Sequence, residues 1–160
     1  MIDETDHQIL TLLQDDARLP NAEIARRLGM AASAIHERVK KLEARGLIRG
    51  YEARLDPGPL GRKLLAFVFV GSDELPGQET TGGALAAIPE VLEVHHIAGE
   101  DCYLAKIRCA DTEELGRLLR ERFGTIPSVR STRTTIVLGT LKESAKLPLF
   151  DHPAAEASHG

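Results

Sequence analysis

The stretch NAEIARRLGMAASAIHERVKKLEARG, residues 21–46, decides the fold of the first part of the chain. Its apolar residues recur at helical spacing on both sides of Gly29, which predicts one helix from about residue 21 to 28 and another from about 32 to 44. The small Ala25 lets the helices cross closely, Gly29 takes the tight turn, and Ile35 anchors the second helix. This spacing predicts a DNA-binding helix-turn-helix. The alternative is a helical hairpin whose basic residues are a solvated surface.

A further helix precedes this stretch. It begins at Asp3, which with Asp6 resembles a capping arrangement, and it ends before Pro20. Its buried residues are expected to be Ile9, Leu10, Leu12 and Leu13. Asn21 is the expected N-cap of the next helix. We predict a winged-type helix-turn-helix domain over residues 1–50.

The helix over about 32–44 carries the candidate DNA-contacting residues. When Ile35, Val39 and Leu42 face inward, the opposite side and its flanks carry the candidates Ser33, His36, Glu37, Arg38, Lys40, Lys41 and Arg45. Ser33 and His36 lie near the helix N-terminus, where base edges are usually contacted, whereas Lys40, Lys41 and Arg45 suit phosphates.

Two of these candidates have an alternative role. Glu37 can accept a hydrogen bond from a cytosine amino group, or pair with Lys41 four residues on. Arg38 lies at the edge of the buried stripe, so its head can reach a phosphate or a carboxylate of the first helix. The sequence leaves both choices open.

The charge distribution supports an oriented approach to DNA. The chain of 160 residues has a net charge of −4, but residues 31–50 carry five basic and two acidic side chains, a net +3, and residues 1–16 carry −5. A composition of 42% hydrophobic and 28% charged residues excludes a disordered chain, and the length excludes a large multi-domain enzyme.

Targeting and disulfide signals are missing from the sequence. The longest apolar run, residues 64–70, is far shorter than the roughly 20 residues that span a bilayer, and an acidic N-terminus is unlike a signal peptide. Cys102 and Cys109 give no disulfide framework. We therefore expect a cytoplasmic protein with no membrane association.

The pattern changes after the first domain. Residues 47–55 alternate loosely like a strand and lead into the Pro/Gly cluster of residues 56–59, so we predict a linker strand and turn over 51–61. Residues 62–149 form the predicted second domain, and 150–160 a flexible tail.

The second domain is expected to have the order β-α-β-β-α-β. The predicted strands are 64–71, 91–98, 102–109 and 129–138, and the helices are about 80–88 and 112–123. This is a ferredoxin-like arrangement, an antiparallel sheet with two helices on one face, in an α+β chain. Because the other face is uncovered, we expect a homodimer.

Motifs in both halves resemble the Lrp/AsnC (feast/famine) family of prokaryotic transcription factors. In the first half they include Glu23-Ile24-Ala25, Arg38-Val39 and residues 46–51, GLIRGY. In the second half they include residues 99–104, GEDCYL, and residues 127–129, PSV. Ala31 and Ala32 depart from the family, which usually has a serine to cap the recognition helix. This loss costs about 1 kcal/mol unless Ser33 or a phosphate replaces the cap.

The resemblance implies a transcriptional regulator with a ligand-sensing (RAM) domain and no cofactor. Family members form dimers that assemble into octamers or similar rings and bind an amino acid or related small metabolite between dimers. The implied effector-binding residues are Gly99, Glu100, Asp101, Asp111, Thr132 and Thr134. A glycine turn exposes amides to a carboxylate, and an acid pairs with an ammonium group. From chemistry alone, residues 98–101 are equally well a plain hairpin turn, and Cys102 replaces a usual aspartate.

The sequence contains fewer motifs that would support other functions, such as metal binding or catalysis. His95 and His96 are adjacent on a strand and point to opposite faces, as do Cys102 and Cys109, so we expect no metal site. No catalytic residues stand out. The alternatives to a regulator are an enzyme resembling sirohaem decarboxylases, which share this architecture, and a sensor or assembly module without DNA binding.

Overall fold

The computed structural model describes residues 2–75 and 77–149, and the chain divides into two compact units. Among the described residues, the first unit comprises 2–54 and 143–149, and the second comprises 55–75 and 77–142. The tail predicted over residues 150–160 lies outside the described residues. None of the helices in the described part of the chain is long and apolar enough to cross a membrane.

The first unit is built on the three predicted helices, α1 (Glu4–Asp15), α2 (Asn21–Leu28) and α3 (Ala32–Ala44). Asp3 caps α1 and forms a reciprocal capping box with Asp6, as the sequence predicts. Gly29 ends α2 in the left-handed conformation with φ 64°, a backbone geometry that favours glycine. The predicted helix-turn-helix is therefore confirmed.

The prediction that Asn21 caps α2 is wrong. Asn21 is the first helical residue, and Pro20 precedes it with a carbonyl that accepts from the backbone N–H groups of Glu23 and Ile24 at 2.9 and 3.1 Å. The extended backbone of Pro20, with φ −64°, starts the helix without a side-chain cap. The Asn21 amide is consequently available to another partner.

A small apolar core holds the three helices together. Its buried residues come from each helix and comprise Ile9, Ile24, Ala25, Ile35, Val39 and Leu42. Leu10, Leu12 and Leu13 are only partly buried against it. One side of α3 is thus committed to the core, which leaves the other side exposed.

The strand predicted over residues 47–55 is absent. Residues 49–56 have no regular secondary structure, and in the described part of the chain the sheet contains four strands, none of them from this segment. A strand needs a neighbouring ladder for its backbone N–H and C=O groups, and loose alternation of side chains does not supply one. Only the turn around Pro57–Gly61 is present as predicted.

The second unit confirms the ferredoxin-like prediction. Its elements are β1 (Leu64–Ser72), α4 (Thr80–Ala86), β2 (Val91–His96), β3 (Tyr103–Cys109), α5 (Thr112–Leu118), which continues as a π-helical turn over Leu119–Phe123, and β4 (Val129–Ile136). The strands are antiparallel in the order β2-β3-β1-β4. The non-sequential order is the one that a split βαβ requires.

Strand register separates a buried face of the sheet from an open one. Ala66, Val68 and Val70 of β1 lie opposite Ile107, Ala105 and Tyr103 of β3, and all six are buried with Leu85, Leu115 and Phe123 of the helical layer. The residues between them, including Phe67, Phe69 and Leu104, lie on the other face and are partly exposed. The sequence predicted this alternation along β3, and it is confirmed.

The segment from Glu143 contacts α1. The Leu147 backbone N–H donates to Gln14 Oε1 at 2.7 Å, Gln14 Nε2 donates to the Leu147 carbonyl at 3.1 Å, and Lys146 Nζ lies 2.8 Å from Asp15 Oδ1. These residues were predicted to belong to the second domain, over residues 62–149. Their contacts give the first unit a segment from the end of the chain.

Candidate nucleic-acid interface and ligand site

Helix α3 presents a polar face that the core does not use. Ile35, Val39 and Leu42 are 0%, 7% and 1% exposed. The exposed side chains are Ser33, His36, Glu37, Lys40, Lys41 and Arg45. A protruding helix with one anchored side is the element that enters the major groove in helix-turn-helix proteins. The structure therefore brings six of the seven candidate DNA-contacting residues onto one exposed surface.

Arg38, the seventh candidate, is occupied elsewhere. Its Nη1 lies 2.7 Å from Asp3 Oδ2 and 2.8 Å from Asp6 Oδ1, and Asp6 is 8% exposed. Hydrogen bonds from the Asp6 N–H and then from Arg38 lower the pKa of Asp3, and the two carboxylates raise the pKa of Arg38. Of the two roles that the sequence left open, the carboxylate contact is the one present. The Arg38 guanidinium therefore ties α3 to α1, and a phosphate contact by Arg38 stays a prediction.

His36 also has a partner, but it remains exposed. Asn21 Nδ2 at the start of α2 lies 3.3 Å from His36 Nδ1 in the first part of α3. This pair was not predicted from the sequence, because the two residues are fifteen positions apart. The packing of α2 against α3 brings Asn21 beside His36.

The start of α3 lacks the side-chain cap usual in helices. Within the described residues no side chain caps the first turn of α3. The carbonyl of the N-cap residue Ala31 accepts from the backbone N–H groups of Ala34 and Ile35 at 3.1 and 3.2 Å. Ser33 does not replace the missing cap. The departure predicted from the two alanines is confirmed.

The arginines of α2 are paired within their own helix. Glu23 Oε1 accepts from Arg26 Nη2 at 2.7 Å and from Arg27 Nε at 2.8 Å. These hydrogen bonds, that of Arg26 first, lower the pKa of Glu23 to about 2. The positive charge of α2 is thus partly neutralised.

The glycine turn between β2 and β3 closes as a short loop. Gly99 has φ 131°, in the region that favours glycine, and the Ile97 N–H donates to the Cys102 carbonyl at 2.9 Å. Glu100 is exposed. Asp101 Oδ2 accepts from Arg133 Nη2 at 2.7 Å, so the turn is joined to β4.

Arg133 is a residue that the sequence analysis missed. Its guanidinium carbon lies 4.0 Å from the centre of the Phe69 ring, in a cation–π contact on the open face of the sheet. Thr132 and Thr134 lie opposite Val70 and Val68, so they belong to the other face. Strand alternation assigns Arg133 to the face of Phe69 only once the pairing of β4 with β1 is known.

Asp111 lies far from the turn. It follows β3, whereas Asp101 precedes it, and the seven residues of β3 span roughly 23 Å at about 3.3 Å per residue. Asp111 caps α5 by accepting from the Glu114 N–H at 2.8 Å. It lines a surface cleft of about 530 Å³ with Leu60, Gly61, Arg62, Ala110, Glu113, Glu114 and Arg117. Within one chain Asp111 and the glycine turn therefore lie apart, and the prediction that the six effector residues meet in a cleft between dimers stays a prediction.

The histidine and cysteine pairs are separated by the sheet. His95 lies opposite Leu104 and His96 opposite Tyr103, with the His96 and Tyr103 rings stacked at 5.1 Å. In residues 2–75 and 77–149, no group of three or more His, Cys, Asp or Glu side chains is arranged to hold a metal ion. These side chains have structural contacts instead.

Comparison with known proteins matches both units. Residues 65–147 match the family model of the Lrp/AsnC ligand binding domain, and residues 2–49 match that of a winged helix-turn-helix DNA-binding domain. Two curated relatives align along nearly the whole chain. The HTH-type transcriptional regulator FL11 of Pyrococcus horikoshii is 40% identical over 92% of this chain and 97% of its own. The leucine-responsive regulatory protein of Escherichia coli is 36% identical over 91% and 90%.

A solved structure agrees with this assignment. It is a transcriptional regulator from Neisseria meningitidis in complex with L-Met, with a TM-score of 0.86 and 29% identity over 92% of this chain and 97% of the other. The fold, both family models and the relatives point the same way, and the chain belongs to the Lrp/AsnC family of transcriptional regulators.

Proposed function

We propose that this chain binds duplex DNA sequence-specifically through α3 and that an amino acid or related small metabolite modulates this binding. The observation that carries the proposal is the division of α3 between a buried apolar side and an exposed polar side. Ser33, His36 and Glu37 lie towards the helix N-terminus, where base edges are within reach. Lys40, Lys41 and Arg45 follow, where phosphates run beside the groove.

The contacts of Arg38 support this orientation. Asp3 and Asp6 would repel phosphates if they were unpaired, but the Arg38 guanidinium lies within 2.8 Å of both carboxylates. Lys40 and Lys41 are left to face the DNA. The uncapped N–H groups at Ala31 and Ala32 suit a phosphate oxygen, because no side chain in the described part of the chain occupies them.

The ligand part of the proposal rests on the turn at Gly99–Asp101 and on Arg133. An amino acid offers a carboxylate and an ammonium group. The carboxylate suits the Arg133 guanidinium and the turn amides, and the ammonium group suits the Asp101 carboxylate. Binding in this way exchanges the internal Asp101–Arg133 pair for two pairs with the ligand. The L-Met bound to the Neisseria meningitidis relative supports an amino acid as the class of ligand.

The remaining predicted residues enter only in an assembly. Asp111 lies at the other end of β3 from Asp101, so it reaches the same ligand only from another protomer. Phe67, Phe69 and Leu104 leave an apolar open face on the sheet, which supports a homodimer through this face and a higher oligomer such as an octamer. Thr132 and Thr134 stay candidates at the edge strand.

We propose a regulatory and not a catalytic role, in the cytoplasm and without a cofactor. An enzyme resembling sirohaem decarboxylases would need converging histidine and basic side chains. His95 instead pairs with Glu93 at 3.2 Å on one face of the sheet, and His96 stacks on Tyr103 on the other. No observation favours a second function.

The test is a DNA-binding assay with two matched variants. Fluorescence anisotropy of a duplex from upstream of its own gene is measured with and without each of the common amino acids. Asp101→Asn is expected to bind DNA but lose the amino-acid response. Asp73→Asn, which removes a similar carboxylate paired with Arg130 of β4, is expected to keep both. Absence of specific DNA binding in the wild type refutes the proposal, and an unchanged response in Asp101→Asn removes this site.

A further inference from the structure

We infer that Asn21 determines DNA-sequence preference indirectly, because its amide fixes the neutral His36 ring with the proton on Nε2. His36 then offers the DNA a hydrogen-bond donor and not an acceptor. This inference rests on the proposed function, and it specifies the chemistry of one contact. Asn21 itself is a positioning residue and acts through His36.

The contact between Asn21 and His36 joins one amide nitrogen to one ring nitrogen. Asn21 Nδ2 lies 3.3 Å from His36 Nδ1, within hydrogen-bond distance, and joins the first residue of α2 to α3. Asn21 is partly buried and His36 is exposed. The contact with Asn21 uses Nδ1, so Nε2 of the exposed His36 is the ring nitrogen that this contact leaves for the DNA.

The donor and acceptor roles follow from the amide. An amide nitrogen only donates, so Nδ1 must be the acceptor and carries no proton. In a neutral imidazole the other ring nitrogen then carries it. The tautomer of His36 is thus set by a residue outside the helix that contacts the bases.

The Nε2–H donor selects among base edges. In the major groove the acceptors are N7 and O6 of guanine, N7 of adenine and O4 of thymine, whereas adenine N6 and cytosine N4 are donors. Guanine presents two acceptors and no amino group in this groove. We therefore expect guanine to be preferred at one position in each half-site.

The first test measures the tautomer without DNA. Long-range ¹H–¹⁵N spectra of the full chain at about pH 8, where imidazole side chains are neutral, distinguish a protonated from an unprotonated ring nitrogen. We expect His36 Nε2 to be protonated in the wild type. In Asn21→Asp the carboxylate only accepts, so Nδ1 becomes the protonated nitrogen. The control Ala22→Asp adds the same charge at the next, exposed position and should keep the wild-type tautomer.

The second test selects duplexes from a randomised pool. We expect Asn21→Asp to shift the preference at one position from guanine to adenine or cytosine, by roughly two- to tenfold, the size of a single hydrogen bond. Ala22→Asp should weaken all duplexes alike. In a His36→Ala background, Asn21→Asp should have no further effect on this position, because Asn21 acts only through the ring.

The outcomes separate the inference from the proposed function. A wild-type His36 ring protonated on Nδ1 overturns the inference, and this measurement needs no variant to fold. An equal shift of base preference with and without His36 also overturns it. If the wild type enriches no duplex, the proposed function fails, while the ring spectra still decide the tautomer.

Discussion

Replacement of Ile35 by alanine should strongly destabilise the DNA-binding unit and leave the stability of the sheet unit unchanged. Ile35 is completely buried and is one of the six buried residues that form the core of the first unit in the described part of the chain. A unit of roughly 60 residues has a free energy of unfolding of about 3–9 kcal/mol. Ile→Ala at a buried site costs about 2–5 kcal/mol, which is a large part of that stability. The second unit has a separate core, so its stability should not change.

Scanning calorimetry and anisotropy measure the two consequences. We expect the transition of the first unit to fall by about 8 °C or more in Ile35→Ala, with loss of DNA binding, while the other transition stays in place. Ile35→Val, at about 0.5–1.5 kcal/mol, should lower the first transition by about 2–12 °C and keep DNA binding at room temperature. If Ile35→Ala lowers both transitions equally, the reasoning from separate cores is refuted.

Three further predictions concern charge, pH and the glycine turn. Lys40→Ala should reduce the slope of log K against log salt by about 0.9, since one phosphate contact is lost, whereas Ser33→Ala should leave the slope unchanged. A changed base preference with an unchanged slope in Lys40→Ala would contradict a phosphate contact by Lys40. Hydrogen bonds from Thr80, and from the Thr81 N–H at 2.9 Å, lower the pKa of Glu74 to about 2. The contribution of Glu74 to stability is therefore present above about pH 4.5, its ordinary pKa, and is lost as the pH falls from about 4.5 towards 2. Thermal unfolding of Glu74→Gln should accordingly depend less on pH in that range, and an equal dependence would exclude Glu74 as the cause. Gly99→Val strains a turn with φ 131° and should abolish the amino-acid response in anisotropy and light scattering without loss of DNA binding, while Gly83→Ala, at an unstrained helical position, should respond like the wild type.

The elements that sequence predicted well are those fixed by local pattern. The helical spacing around Gly29 and the alternation along Tyr103–Cys109 both appear as predicted. The failure at residues 47–55 shows the limit of such patterns. Alternation there is not accompanied by a paired neighbour in the described sheet, and a strand is defined by its pairing.

The candidate site residues also divide into those that local pattern predicted and those that depend on a distant partner. Helical periodicity was enough to place Lys40 and its neighbours on an exposed face, because a helix carries its own geometry from residue to residue. Periodicity placed Arg38 at the edge of the buried stripe but left its partner open between a phosphate and a carboxylate of the first helix. It did not predict the Asn21–His36 contact, since that contact joins residues far apart in the chain.

Apart from the strand wrongly predicted over residues 47–55, the sequence by itself therefore determined which helices and strands form and which side of each is apolar, because these properties depend on neighbours a few residues away. Only the tertiary structure decided that Arg38 binds carboxylates, that Asn21 contacts His36, and that Asp111 lies apart from Asp101. The physical reason is that hydrogen bonds and ion pairs act over about 3 Å. Which side chains come within that distance is set by how the elements pack and how the strands are ordered.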